Sequence, residues 1–162
     1  MKTFYWYDYE TFGLSPKVQR IAQFAGIRTD ENLNILDEHM FYCKPTHDSL
    51  PAPEACAVTG ITPQLCEAKG FIEHEFIKKI HAEFSQPETC IVGYNSIAFD
   101  DEYTRHTLFR NFLDPIWDLA LKRISKFVIP EFHDTVLVTK CGDFLYSEGM
   151  KRAILLLEGI FY

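Results

Sequence analysis

Residues 2–13 read Lys2-Thr3-Phe4-Tyr5-Trp6-Tyr7-Asp8-Tyr9-Glu10-Thr11-Phe12-Gly13. The aromatic side chains of this run favour a buried β-strand. Asp8 and Glu10 are two residues apart, so both side chains leave the same face of an extended chain. Two carboxylates beside buried rings repel each other and lose hydration, a cost that a bound cation would offset. The alternative is an exposed strand end whose acids only add solubility.

Hydrophobic periodicity predicts strands and helices after this first strand. Strands are expected over residues 19–29 and 35–43, joined by a polar turn at 30–32 and followed by a loop over 44–53. A short helix should start at Thr62-Pro63, because threonine caps helices and proline suits the first helical position. The longer helix that follows carries a predicted core stripe of Ile72, Phe76, Ile77, Ile80 and Phe84.

The remaining pattern predicts a buried strand over residues 90–94 and a helix from about Phe99 to Phe112, with Phe99, Tyr103 and Phe109 on its apolar side. Asp100 falls in the first turn of that helix, where an acid is also favoured by the helix dipole alone. Three strands, a helix, a strand and a helix begin an α/β domain of the ribonuclease H-like class. In that class the end of the first strand lies near the second helix, so Asp8, Glu10 and Asp100 are expected to converge.

Converging carboxylates indicate a site for Mg²⁺ or Mn²⁺, which are hard cations that prefer oxygen ligands. Two such ions about 3.5–4 Å apart can clamp the attacking and leaving oxygens of a phosphodiester. Hydrolysis of phosphate esters is the chemistry that suits this arrangement.

The composition of the 162-residue chain is that of one compact domain, with 47% hydrophobic and 15% aromatic residues. Its net charge of -7 argues against binding nucleic acid over the whole surface, although catalytic acids count as negative until a metal binds. Five cysteines without a C-x-x-C spacing predict neither a disulfide framework nor a zinc site. The expected compartment is therefore the reduced cytoplasm, and no apolar run is long enough to span a bilayer.

Five segments resemble the bacterial exodeoxyribonuclease I family and occur in the family's order. They are Asp8-Tyr9-Glu10-Thr11-Phe12-Gly13, Gln23-Phe24-Ala25 with Ile27-Arg28-Thr29-Asp30, Phe41-Tyr42-Cys43-Lys44-Pro45, Thr59-Gly60-Ile61-Thr62-Pro63-Gln64, and Gly93-Tyr94-Asn95 through Phe99-Asp100-Asp101-Glu102. The likeness divides the chain into an exonuclease part, residues 1–115, and a weakly matching tail, residues 116–162. The family belongs to the 3′-5′ exonucleases that use four carboxylates and two magnesium ions.

The resemblance implies roles for particular residues. Asp8 and Glu10 correspond to metal ligands of the first motif, and Asp100 rather than Asp101 to the acid of the second. Glu10 and Arg105 correspond to positions that contact single-stranded DNA. The segment Thr59-Gly60-Ile61-Thr62 matches the loop that lies against the nucleotide at the 3′ end. The implied activity is hydrolysis of single-stranded DNA from that end, which releases 5′-mononucleotides with two Mg²⁺ ions, for which Mn²⁺ can substitute.

The third motif of the family is missing. There a histidine serves as the general base, and a fourth carboxylate follows it five residues later. None of the six histidines here is followed five residues later by an acid, and no tyrosine precedes an acid by four residues, as it does in a related version of the motif. The chain thus resembles the front part of a nuclease domain, as a fragment, an internal deletion or a reading-frame change would leave it. It is expected to be a poor exonuclease by itself.

Two alternatives stay open. One is a proofreading or short-RNA exonuclease of the wider class, whose first motif lacks the Thr11-Phe12-Gly13 context. The other is a catalytically inactive module that binds single strands through Arg105, Arg110 and exposed aromatic side chains. Dependence on a divalent metal separates an enzyme from such a module.

Overall fold

The computed structural model describes residues 2–94, 96, 99–113, 125–128 and 135–138. Three strands come first, as the sequence predicts, followed by helices, a fourth strand and a further helix. In chain order they are β1 (Thr3–Thr11), β2 (Ile21–Thr29), β3 (Ile35–Tyr42), α1 (Pro53–Thr59), α2 (Pro63–Lys69), α3 (Glu73–Phe84), β4 (Thr89–Tyr94), α4 (Asp100–Arg110), β5 (Ser125–Val128) and β6 (Thr135–Val138).

The strands form one six-stranded sheet in the order β3-β2-β1-β4-β6-β5. β1 pairs antiparallel with β2 on one side and parallel with β4 on the other. The parallel pairing runs from Thr3↔Thr89 to Tyr7↔Gly93 and ends there. The acidic end of β1 therefore extends past its ladder with β4, on the side from which α4 approaches.

The core lies on one face of the sheet, where three alternate residues of β1 are tyrosines. Tyr5, Tyr7 and Tyr9 are buried against α3 and α4. The ring of Tyr7 meets that of Phe84 edge-on at a centroid distance of 4.9 Å. Other members of this cluster are fully buried side chains of the two helices, Phe76, Ile77, Ile80, Tyr103 and Leu108.

The predicted three-stranded meander and the helix start at Thr62 are confirmed. The Thr62 hydroxyl accepts a hydrogen bond from the backbone amide of Leu65 at 3.2 Å and so caps α2. Among the helices and strands described, α1 was not predicted; it begins at the last residue of the predicted loop. Strands β5 and β6 were not predicted either, and they lie within residues 116–162, for which the sequence predicts only a weak match.

Two predicted core residues are wrong. Ile72 is 59% exposed, because it is the residue that precedes α3 and lies outside its buried stripe. Phe109 is 78% exposed, whereas its neighbour Leu108 is buried. The buried residues of α4 lie on the side of the helix opposite Phe109 at about 100° per residue. No helix in the described part of the chain is long and apolar enough to cross a membrane.

Candidate metal and nucleic-acid site

Asp8 and Glu10 lie on the face of β1 opposite the tyrosines. Asp8 is paired with Ala25 of β2, and Glu10 with Gln23. The register shifts directly after Glu10, where an irregularity of the β-bulge kind bends the ladder. Both carboxylates are partly buried, and the buried Tyr9 separates them along the strand.

Asp100 lies in the first turn of α4 and is only 3% exposed. Its Oδ1 atom is buried and has no hydrogen-bond partner among the described residues. Buried polar atoms are normally paired, so an unpaired carboxylate oxygen indicates a ligand position or strain. Asp101, by contrast, is partly exposed, and it accepts a hydrogen bond from the Tyr7 hydroxyl at 2.7 Å.

The electrostatics of the three carboxylates reflect their burial and mutual proximity. Burial, and then the neighbouring Glu10 carboxylate, raise the pKa of Asp8 to about 7. Burial, and then Asp8, raise the pKa of Asp100 to about 8, against which the backbone amide of Tyr9 acts. Burial also raises the pKa of Glu10. Asp8 is therefore the carboxylate that interacts with both of the others.

The three acids are neighbours but do not form a closed cage. In the part of the chain that the structure describes, no three His, Cys, Asp or Glu side chains are grouped closely enough to hold a metal ion. The structure brings Asp8 to Glu10 and Asp100 to Asp8. Repulsion among three carboxylates without a cation favours such a separation.

The donor set nevertheless fits a hard divalent cation. All three candidates offer carboxylate oxygens, which Mg²⁺ and Mn²⁺ prefer. A cation beside Asp100 would satisfy its unpaired buried oxygen, and it would favour the ionised forms of Asp8 and Asp100, which burial now disfavours.

Residues 59–62 form the connection between α1 and α2. Gly60 has a φ of 70°, a left-handed conformation that glycine adopts without strain. Ile61 is buried in a small cluster with Phe12, two residues beyond Glu10. The Thr59 hydroxyl accepts from the Ile61 amide at 3.1 Å. The connection is thus anchored beside the acidic end of β1, with Gly60 and Thr62 exposed.

Arg105 lies on α4, one turn after Asp101. Its guanidinium donates to both carboxylate oxygens of Glu102 and approaches Nε2 of His106 at 3.2 Å. About a third of its side chain is exposed, at 34%. A phosphate at this position would have to compete with Glu102.

Sequence reasoning missed the contacts that hold α4 against β1. Tyr7 bonds to Asp101, Tyr9 to Thr104 at 2.9 Å, and the Tyr103 hydroxyl donates to the carbonyl of Gly13 at 2.8 Å. The alternation of tyrosines with acids in β1 was the available signal, because a buried tyrosine needs a partner for its hydroxyl.

Comparisons with known proteins agree with this architecture. The Exonuclease family model matches residues 5–145. Exodeoxyribonuclease I of Haemophilus influenzae is 61% identical over 114 residues, which cover 70% of this chain and 24% of that protein. The crystal structure of Escherichia coli exonuclease I in complex with a dT13 oligonucleotide has a TM-score of 0.69 at 52% identity and covers 71% of this chain and 25% of that one.

Exonuclease I from Methylocaldum szegediense is similar to the same extent, with a TM-score of 0.69, 57% identity, and coverage of 71% of this chain and 25% of that one. The chain thus spans about a quarter of the length of these relatives. The family match runs past residue 115, so the division between an exonuclease part and a tail stays a prediction. The predicted ribonuclease H-like α/β class is confirmed, and the chain belongs to the Exonuclease family.

Proposed function

We propose that this chain carries the metal-binding part of a 3′-5′ exonuclease that acts on single-stranded DNA and releases 5′-mononucleotides. One observation carries the proposal. Asp100 is buried with an unpaired carboxylate oxygen. It lies beside Asp8, where β1 extends past its ladder with β4. The substrate class is supported by the Escherichia coli relative, whose structure contains a dT13 oligonucleotide.

Asp8, Glu10 and Asp100 would hold Mg²⁺ or Mn²⁺, with two ions in a complete site. Such ions lower the pKa of bound water and offset negative charge at a phosphodiester. The chain's own contribution is to keep three carboxylates at the rim of a hydrophobic core. The low dielectric of that core strengthens their attraction for a cation.

The single strand would lie across the connection at residues 59–62 and reach Arg105. The exposed backbone at Gly60 allows a close approach of the terminal nucleotide. Arg105 would exchange its bonds to Glu102 for a phosphate, whose geometry an arginine fork also matches. Thr59, Ile61 and Thr62 hold the shape of this connection through their own contacts.

Among the 162 residues, no histidine or tyrosine stands at the spacing from an acid that the family's catalytic base has. Loss of a general base typically costs about 10²–10⁴-fold in rate. The expected activity of this polypeptide alone is therefore low, and its metal and DNA binding are the properties to measure beside turnover.

The proposed compartment is the reduced cytoplasm. The free cysteines Cys43, Cys66 and Cys90 are buried as thiols, which supports a setting where disulfides do not form.

The test is degradation of 3′-labelled single-stranded DNA with protein in excess, with Mg²⁺ or with EDTA. The wild-type chain should release labelled mononucleotide slowly and only with metal. Asp8→Asn removes a ligand charge and should lower the rate more than about 100-fold, since even outer partners of metal ligands are worth about 10–100-fold. The matched control is Asp37→Asn on β3, whose side chain is 56% exposed. Degradation in EDTA, or equal rates for both variants, would refute the proposal.

A binding module without turnover is the second candidate, and the C-terminal end of α4 favours it. Phe109 is 78% exposed and Phe112 is 97% exposed, so both rings are available to stack on bases. Arg110 is paired with Glu73 at 2.8 Å and Arg105 with Glu102, and Arg105 is the more exposed of the two arginines, at 34% against 21%. In the same experiment, DNA binding that persists in EDTA without any mononucleotide release supports this module.

A further inference from the structure

Alternate residues of β1 carry acids on one face of the strand and tyrosines on the other. Asp8 and Glu10 leave one face, and Tyr7 and Tyr9 leave the other toward α4. The Tyr7 hydroxyl donates to Oδ1 of Asp101 at 2.7 Å. Asp101 directly follows Asp100, whose carboxylate interacts with that of Asp8.

A second bond fixes the orientation of the same helix turn. The hydroxyls of Tyr9 and Thr104 are 2.9 Å apart, and Thr104 also donates to the carbonyl of Asp100 at 3.0 Å. Since Thr104 has one hydroxyl proton, Tyr9 is the donor in the first of these bonds. Two bonds that start two residues apart on the strand and end three residues apart on the helix restrict both the position and the rotation of the first turn of α4.

These bonds act against an opposing force. The first turn of α4 contains Asp100, Asp101 and Glu102, and the Asp100 carboxylate interacts unfavourably with that of Asp8 at the end of β1. Like charges at this distance push the helix away from the strand. The residue before the helix, Phe99, provides no side-chain cap that would fix its start. The tyrosine hydroxyls are therefore two of the contacts that hold the helix start against this repulsion, beside the backbone bond from Asp101 to Ser96 and the bond from Tyr103 to Gly13.

We propose that Tyr7 is a positioning residue of the metal site, which keeps Asp100 within reach of Asp8 through its hydrogen bond to Asp101. Tyr7 touches neither metal nor substrate in this role. The inference rests on the proposed metal site at Asp8, Glu10 and Asp100. It predicts that removal of one hydroxyl on the core face lowers the affinity for a divalent ion on the other face.

The test is the affinity for Mn²⁺, measured from the electron paramagnetic resonance signal of the free ion. Tyr7→Phe should weaken Mn²⁺ binding about 10-fold, the lower end of what outer partners of metal ligands contribute. The matched control is Tyr5→Phe, which removes a hydroxyl from the same face of the same strand. The Tyr5 hydroxyl contacts His39 of β3 at 3.0 Å instead of α4, so this control should keep the wild-type affinity.

A double-mutant comparison identifies the partner. Asp101→Asn keeps an acceptor oxygen and should bind Mn²⁺ nearly as well as wild type. In an Asp101→Ala background, Tyr7→Phe should cause no further loss. Circular dichroism of each variant establishes that it is folded at the temperature of the titration.

The outcomes separate the two proposals. If wild type binds Mn²⁺ and Asp8→Asn does not, the metal site stands; wild-type affinity in Tyr7→Phe, or an equal loss in Tyr5→Phe, would then overturn the positioning role alone. If Asp8→Asn binds Mn²⁺ as tightly as wild type, or if wild type binds none, the metal site and the positioning role are both overturned.

Discussion

Burial of Asp8 and Asp100 makes their ionisation a cost to folding when no cation is present. The pKa of Asp8 rises to about 7 and that of Asp100 to about 8, from an ordinary value of 3.8. The first cause in each case is loss of hydration, and the second is a neighbouring carboxylate. The same two residues are thus costly in the metal-free protein and useful in the metal-bound one.

The metal-free chain should lose stability as the pH rises from about 5 to 8. In this range the folded protein binds more protons than the unfolded one, because its carboxyl pKa values are raised, so the free energy of unfolding falls with pH. At about 1.4 kcal/mol per pKa unit, two carboxyls that stay protonated to about pH 7 and about pH 8 in the folded chain give an expected fall of several kcal/mol. Urea unfolding in EDTA at a series of pH values measures it.

Asp8→Asn is the variant that checks the origin of this slope. It removes one ionisable group and relieves Asp100 of its nearest like charge, so its free energy of unfolding should vary less with pH. A wild-type chain whose stability rises over this range would show that the two carboxyls ionise freely in the folded state.

At the scale of elements, helix α3 is the main cover of the tyrosine face of β1. Phe84 is fully buried, with its ring 4.9 Å from that of Tyr7 and 5.8 Å from that of Tyr5. Its stripe was predictable from the sequence because the helix is amphipathic over three turns. The buried residues of α3 thus pack against the tyrosines of β1, on the face opposite Asp8 and Glu10.

Phe84→Ala should destabilise the chain by about 3–5 kcal/mol, since truncation leaves a cavity between the helix and the sheet. Phe109→Ala makes the same chemical change on α4 at a side chain that is 78% exposed. Its effect should stay within about 0.5 kcal/mol. Thermal or urea unfolding of the two variants measures the difference, and a similar cost at both positions would contradict the core described here.

Helix α1 and the burial of two apolar residues were not predicted correctly from the sequence. Helix α1 has Pro53 at its start and Gly60 after its end, a pattern that favours a helix, but it buries no residue and shows no hydrophobic stripe. Ile72 is an apolar side chain that precedes the first residue of α3, and Phe109 lies on the face of α4 opposite its buried residues. Periodicity identifies the stripe, whereas its edges depend on what each helix packs against.

The sequence also predicts some features of the candidate site and not others. The shared face of Asp8 and Glu10 follows from strand geometry alone. The approach of Asp100 to Asp8 needs the fold, which the order of elements predicted. The bonds of Tyr7 and Tyr9 to α4 could not be predicted, because they depend on the rotation of the helix against the sheet.

At the scale of the whole molecule, one strand, β1, contributes tyrosines to the hydrophobic core and two acids to the candidate metal site. The chain carries a net charge of -7, and the acidic end of β1 adds unfavourable repulsion where the sheet and α4 meet. A divalent cation at this point would relieve that repulsion and stabilise the folded chain in proportion to its affinity. The central claim is therefore that Asp8, Glu10 and Asp100 together hold such an ion.

Anomalous diffraction from crystals of the chain with Mn²⁺ tests that claim most directly. If the claim is correct, a Mn²⁺ peak will lie within about 2.0–2.6 Å of carboxylate oxygens of both Asp8 and Asp100, and no such peak will appear in Asp8→Asn. Mn²⁺ bound only at other residues, or an Asp100 carboxylate that stays apart from Asp8 at saturating Mn²⁺, would contradict it.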